Sequence, residues 1–576
     1  MTHHFSLHRT SAALLFLMLL TGLAAGCSAG KGDSGSGGPA PVANAGTAGA
    51  EQAVGERLFL ETRFAQAYKV FVDNGGSIND PNAGDAVVDT VETVGAPIDP
   101  GPFRGLSMNC RACHMVDDVL TAPGGGMRTY ADFARRSPIP ARADGKTHAP
   151  RNSPALVNST LDRPDGVLFH FDAEFNSMED LVAATFTGRN YGWLPGEHAQ
   201  AIAHLARVVR GDDGSFDLTG TGLSYRILFT GNNANIPDEL RLPPPFRAFI
   251  GSGTDQEIFD AVVRVVAAYV NGLLFSQTED GGALIRSPFD VFLDINGLPQ
   301  QPDSNESAID YSRRLLQLVT ARDLAGTLQF VTSNPNRQDG QFQFHPGQTF
   351  TFGATELAGL KTFLAEPPAG PLPASGVGNC VACHAAPNFT DFKLHNTGTA
   401  QKEYDDIHGA NQFAGLSIPN LATRNGNYNA YLPATEAHIA AVGPFRDIPA
   451  AGNPGLTDLG VWNVFANPDI PGPQAKIRTL LCEGQVPCPA DSILLDRAIA
   501  RFKTPGLRDL SHSAPYMHTG QFDTLEDIMA FYQLASTQAR AATLRNGAAQ
   551  LQGIALAPGD VAPLVAFLKS LNEDYQ

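Results

Sequence analysis

The chain has 576 residues and a formal net charge of −18, with seven cysteines and fifteen histidines. That length is ample for two domains with buried cores. The acidity argues against nucleic acid or an anionic lipid surface as partner; it suits a basic or dipolar redox partner, and equally plain solubility.

In chain order, His8 and Arg9 precede an apolar run over residues 12–20, followed by small residues and Cys27. A charged start, an apolar stretch too short to span as a mature helix and a small-residue cleavage site together read as an export signal. The segment Leu23-Ala24-Ala25-Gly26-Cys27 resembles the lipobox of a bacterial lipoprotein, whose cysteine carries a diacyl anchor. Its leucine lies one place upstream of the usual position, so ordinary signal cleavage, with Cys27 a leftover thiol, is the alternative. Residues 1–27 are thus predicted as signal and 28–50, rich in Gly, Ser, Ala and Pro, as a flexible tether. The mature chain is expected in the periplasm or at the outer membrane, touching the membrane through the anchor alone.

A helix is predicted over 54–64, then an Asp- and Gly-rich loop over 74–101. Next comes Cys110-Arg111-Ala112-Cys113-His114, and the same pattern recurs 270 residues later as Cys380-Val381-Ala382-Cys383-His384. C-x-x-C-H is the attachment signature of a c-type haem: two thiols add across the porphyrin vinyl groups, and the adjacent histidine becomes the proximal iron ligand. The alternative is a zinc clip of four thiolates, which leaves the histidine after each pair unexplained. Two covalently bound haem c groups are expected, on Cys110, Cys113 and His114 and on Cys380, Cys383 and His384.

Helices are predicted over 197–209 and 256–274; in the latter Ile258, Val262, Val265, Val266 and Tyr269 repeat at three and four. Residues 212–253 and 291–345, rich in Gly, Pro, Asn and Gln, read as insertions. Thr355 is placed to cap a helix over 356–364. Cys482 and Cys488 close a short loop, and in an oxidising compartment they predict a local disulfide. A last helix over 560–571 sets Leu564, Phe567, Leu568 and Leu571 on one face. The fold class expected is mainly α. Two cytochrome c-like haem domains span 51–290 and 346–576, joined by 291–345 and carrying long loop-rich insertions.

Several further runs resemble the bacterial dihaem cytochrome c peroxidase and MauG family. They are Arg151-Asn152-Ser153-Pro154-Ala155-Leu156-Val157-Asn158, the segment through Phe171-Asp172, Ser287-Pro288-Phe289-Asp290, Asn388-Phe389-Thr390-Asp391 and His395-Asn396-Thr397-Gly398. The most specific is Phe502-Lys503-Thr504-Pro505-Gly506-Leu507-Arg508 with Ala514-Pro515-Tyr516-Met517-His518-Thr519-Gly520 and Thr524-Leu525-Glu526. The resemblance covers the two haem regions and not the insertions, and takes Ser287 to Asp290 as the close of the first domain. It implies a far-side ligand of the second haem fourteen residues after His518, at Tyr532, where peroxidases have methionine and MauG has tyrosine. A tyrosinate is a hard anionic donor that lowers the potential relative to methionine. A core aromatic is the plainer reading of Tyr532, and Met517 and Met529 lie off the family position. The resemblance also implies a calcium ion between the haems on Asn152, Ser513 and Pro515, although Asn152 also suits a turn before Ser-Pro. It sets Arg508 near the haem propionates.

The first haem departs from the family pattern. Its distal glutamine position falls near Leu181, no carboxylate stands in the glutamate region over 187–193, and the bridging tryptophan is replaced by Phe171. Glu197 and His198 are displaced by several places. His148 or His170 could cap that iron as a sixth ligand, though each also suits an ordinary surface or propionate-bonded histidine. Three functions follow. One is a peroxidase using hydrogen peroxide and a small electron donor, a cytochrome c or a cupredoxin. Another is a MauG-like oxidase acting on a protein substrate. The third is an electron-transfer lipoprotein with both irons closed, or a dioxygen-binding dihaem oxygenase.

Overall fold

A computed structural model describes residues 49–80, 109–110, 113–117, 128–130, 136, 139–140, 142–146, 148–161, 163, 166–215, 222–275, 284, 287–332, 350–510 and 513–573. The signal, Cys27, nearly all of the tether and most of the 74–101 loop lie outside these residues. The architecture is mainly helical, and its buried apolar side chains gather into three clusters.

The first cluster packs helices Ala50–Phe59, Met178–Phe186, His198–Gly211 and Asp255–Asn271. Helix Asp255–Asn271 starts on a capping box: Thr254 Oγ1 accepts from Glu257 N at 3.2 Å, and Glu257 Oε2 accepts from Thr254 N at 2.8 Å. Ile258, Val262, Val265, Val266 and Tyr269 are all buried, as their spacing predicts. The helix expected over 54–64 ends instead at Phe59, and Phe64 sits in the turn before a second helix, Gln66–Asp73.

The second cluster packs Pro288–Ile295, Ala308–Leu324, Ala354–Leu364, Leu525–Arg540 and Pro558–Lys569. Two expectations change here. The Ser287 to Asp290 segment opens a helix of this second cluster rather than closing the first domain. Residues 291–345 are not a separate linker in their described part, because Tyr311, Leu315 and Val319 are buried in the same core. Gly353, not Thr355, is the N-cap of the helix before the second pentad, and Glu356 Oε2 accepts from Gly353 N at 2.7 Å.

The two cores share one construction. Gly55 meets Val265 O and the Tyr269 Cβ where the first helix crosses Asp255–Asn271, and Gly359 meets Pro563 O and the Phe567 Cβ where Ala354–Leu364 crosses Pro558–Lys569. Each glycine therefore sits against residues four apart on the closing helix, where a Cβ would fall 2.4 and 1.9 Å from the facing carbonyl oxygens.

The third cluster was not anticipated. The chain leaves the second haem region at His395 and returns at Phe502, through an antiparallel pair that sets Leu394 opposite Lys503 and His395 opposite Phe502. Between them, helices Thr399–His408, Gln474–Cys482 and Asp491–Ala498 bury their own core around Phe413, Trp462, Phe465 and Leu494. Cys482 and Cys488 form the expected disulfide within it.

Candidate functional site

Both C-x-x-C-H runs fold into the same turn. Cys113 N and His114 N donate to Cys110 O at 3.1 and 2.8 Å; Cys383 N and His384 N donate to Cys380 O at 3.1 and 2.7 Å. The turn brings the two thiols and the following imidazole to one side of the backbone, and all six residues line cavities. His114 Nδ1 lies 2.9 Å from Pro154 O and His384 Nδ1 lies 2.8 Å from Phe389 O. A carbonyl can only accept, so each ring carries its proton on Nδ1 and leaves Nε2 for a metal. Burial pushes His114 down to about 4 and lowers His384, which keeps both rings neutral, as ligation requires. The four thiols make no disulfide with one another, and burial raises all of them.

The second cavity, about 300 Å³ of water-accessible space, is walled by Phe363, Leu525, Ile528, Leu564 and Leu568 beside Cys380, Cys383 and His384. Tyr532, Met529 and Met517 all line it. The Tyr532 phenol is held up by burial and then by the sulfurs of Cys383 and Cys380, which places the ring close to the attachment cysteines. Arg508 also lines this cavity. Its guanidinium is engaged by Asp290 at 3.0 Å through both Nη atoms, and Nε donates to Pro387 O at 2.9 Å, so most of its donors tie the Ser287 to Asp290 turn to the second region.

The first cavity is smaller, about 120 Å³. Met178, Leu181 and Thr185, on one face of helix Met178–Phe186, line it together with Arg189, Asn190 and Tyr191. The Tyr191 hydroxyl lies 3.4 Å from Cys110 Sγ. His148 lines neither cavity, whereas His170 and Phe171 line both. His170 Nδ1 is 3.1 Å from Glu174 Oε2, and its pKa is lowered by burial against the pull of that carboxylate. Glu197 is spent on Leu194 N at 2.7 Å, at the start of its helix.

A buried ionic cluster that sequence reasoning missed lies beside Phe171. Arg151 Nη1 is 2.6 Å from Asp172, and its Nε and Nη2 donate to Asp458 at 2.5 and 2.8 Å. Arg446 is 3.2 Å from Asp172 and grips Glu174 with both Nη atoms. Arg446 and Asp458 come from the third cluster's segment, which therefore completes the wall between the two haem regions. His518 is stacked on Phe502 at 3.6 Å and lies 6.3 Å from Phe171; burial, opposed by Asp458, leaves it neutral, at about 3.

Of the residues expected to hold calcium, Asn152 Nδ2 donates to Pro515 O at 2.5 Å while Asn152 Oδ1 accepts from Ser153 N at 2.9 Å. Ser513 Oγ donates to Asp509 O at 2.9 Å. The two regions are tied directly by the Asn152 hydrogen bond, and an ion would have to displace it. Among the described residues no helix is long and apolar enough to cross a membrane.

No family model matches the chain. It is 26% identical over 199 residues to cytochrome-c peroxidase IdrP2 of Pseudomonas sp. (strain SCT), covering 34% of this chain and 37% of that one. It is 27% identical over 198 residues to cytochrome-c peroxidase IdrP2 of Denitromonas iodatirespirans, again 34% of this chain and 37% of the relative. The chain thus spans little more than a third of the length of these curated relatives. Among solved structures, a MauG-like protein associated with microbial copper homeostasis aligns at TM-score 0.38 and 14% identity, over 91% of this chain and 89% of that one. The diheme peroxidase BthA of Burkholderia thailandensis aligns at TM-score 0.37 and 15% identity, over 91% and 86%. A resemblance to cytochrome-c peroxidases is therefore found in sequence comparison as well as in the motifs.

Proposed function

We propose that this chain is a c-type dihaem oxidoreductase of the cytochrome c peroxidase and MauG kind. In this reading Cys110, Cys113 and His114 would hold a first haem that supplies peroxide chemistry, and Cys380, Cys383 and His384 would hold a second that supplies electron transfer. The observation that carries it is the doubled turn: two identical hydrogen-bond patterns, each fixing its histidine by Nδ1 and presenting Nε2 and two thiols to a cavity. When bound, the two haems supply one-electron iron chemistry whose potentials are set by the far-side ligands.

The chain's own residues then have distinct tasks. Pro154 O and Phe389 O hold the proximal rings in one tautomer. Tyr532, which lines the second cavity with Met529 and Met517, would be the residue that holds the second haem from the side away from His384. Phe171 lines both cavities and would pack between the groups they hold; without a low-lying oxidation it would serve as packing rather than as a hopping relay. Lys503 also faces both cavities. Its Nζ is 3.0 Å from Leu168 O, and burial and Arg163 lower it to about 7, so the acid side chain of a porphyrin suits it as a counter-ion. Asn152 and Pro515 meet between the regions, where the resemblance puts calcium, and a bound ion would take the place of their hydrogen bond. Export, with Cys27 lipidated, supplies the oxidising compartment that haem attachment and the Cys482 to Cys488 disulfide both suit. The reductant is a small cytochrome or cupredoxin, or the oxidised partner is a protein side chain.

Electron paramagnetic resonance of the resting ferric protein is expected to show one high-spin and one low-spin iron. Two low-spin signals with no reaction toward peroxide would favour a pure electron carrier, a reading that His170 supports because it faces the first cavity with Nδ1 anchored on Glu174. For the second haem, Tyr532→Met is expected to raise the midpoint potential strongly. An unchanged potential would remove Tyr532 as ligand.

A further inference from the structure

The first cavity has lost the glutamine and carboxylate that the resembling family places over the iron, yet it holds a cation, Arg189, without a side-chain partner among the described residues. We infer that Arg189 is the anion-binding residue of this pocket, its guanidinium donating to a small acceptor, hydroperoxide or a halide, admitted at the open face of the first haem. The inference rests on the open-face reading given above.

Position comes first. Met178, Leu181 and Thr185 bring one helix face to the cavity, and the short turn Arg189–Tyr191 after Gly188 adds Arg189 and Asn190 to the same wall. Tyr191 fixes that turn against the attachment edge through its contact with Cys110. Apolar Leu181 and a Thr185 whose hydroxyl is spent on Leu181 O at 2.8 Å leave the helix face itself without a donor.

Availability comes second. The other basic groups on this cavity are already held: His114 by Pro154, Arg151 by Asp172 and Asp458, His170 by Glu174, Lys503 by Leu168 O. Arg189 makes no side-chain hydrogen bond or ion pair among the described residues, and its Nε is buried without a partner. The acids nearest to it, Glu174 and Asp172, are taken by Arg446 and Arg151. Burial lowers the guanidinium to about 10, which leaves it charged at neutral pH. A half-buried cation with a buried, unpartnered Nε and a cavity in front of it is placed to receive an anion, and the planar fork suits an acceptor held at fixed distance.

The test is fluoride titration of the ferric holoprotein, read in the visible spectrum of the first haem, for the wild type, Arg189→Ala, Arg189→Gln and Arg189→Lys. Haem content, second-haem potential and melting are measured alongside. Fluoride affinity is expected to fall about tenfold or more in the neutral variants, in line with the loss of a charged hydrogen bond, and to recover in part with lysine. Unchanged affinity with a shifted first-haem potential or lowered haem content would make Arg189 a propionate partner and overturn the inference. A wild type that takes up no fluoride would overturn the open-face reading itself. Should Arg189→Ala fail to retain haem, the comparison of glutamine with lysine decides.

Discussion

Asp458 shows what a single carboxylate does between the two haem regions. It is fully enclosed, bonded by two nitrogens of Arg151, and held at about 2 because that guanidinium outweighs the burial that would raise it. A folded pKa below the unfolded value of about 3.9 contributes stability that is fully present above pH ~4 and is lost as pH falls toward 2, roughly 2 kcal/mol in all. Asp458→Asn is therefore expected to lower unfolding stability at pH 7 by about that amount, with the gap to wild type closing below pH ~3. Chemical denaturation across that range checks it, and a pH-independent gap would deny the assignment. Little of this was legible in the sequence. Arg151 and Asp172 stand in recognisable runs, but Arg446 and Asp458 lie some 300 residues downstream, in a stretch without motif or periodicity. The same holds for Arg508, whose partner Asp290 is 218 residues away. Charge pairing over such separations leaves no local pattern to read.

Helices were legible where their apolar faces repeat. The capped helix Asp255–Asn271 and the closing helix Pro558–Lys569 fall within a few residues of the expected spans, because one buried stripe fixes each. Residues 399–500 were not seen as a body of their own: their helices are of ten residues or fewer, and their large side chains, Trp462 and Phe465 among them, sit in turns between helices. Tertiary packing, not periodicity, holds them. What the sequence could have offered is the matched pair of crossing glycines, each inside a helix that precedes its C-x-x-C-H run. Gly359→Ala tests how close that crossing is. On an exposed helix the change would stabilise by about 1 kcal/mol; here the methyl would overlap Pro563 O, and a net loss of about 1–3 kcal/mol is expected. Thermal unfolding of the holoprotein decides the sign, and Gly55→Ala should behave alike.

At the scale of the whole molecule, a net charge of −18 surrounds an interior wall held together by arginines. A cationic redox partner would be steered toward such a surface, so its electron-transfer rate is expected to fall about tenfold between low salt and 0.15 M, while a neutral donor changes little. Stopped-flow reduction with a basic and an uncharged donor separates the two, and equal salt dependence would assign the acidity to solubility alone. One feature of the wall bears on how the protein is made. The lining of the first cavity includes Lys503 and Asn152, and Asn152 is fastened to Pro515 and His518, more than 400 residues after Cys110. On the proposed export route, which would deliver the chain from its N-terminus, Cys110 and Cys113 would reach the far side of the membrane before the residues that complete their pocket. A haem-attaching machinery would then meet those thiols on an open strand, and the last hundred residues to cross would close the pocket behind them.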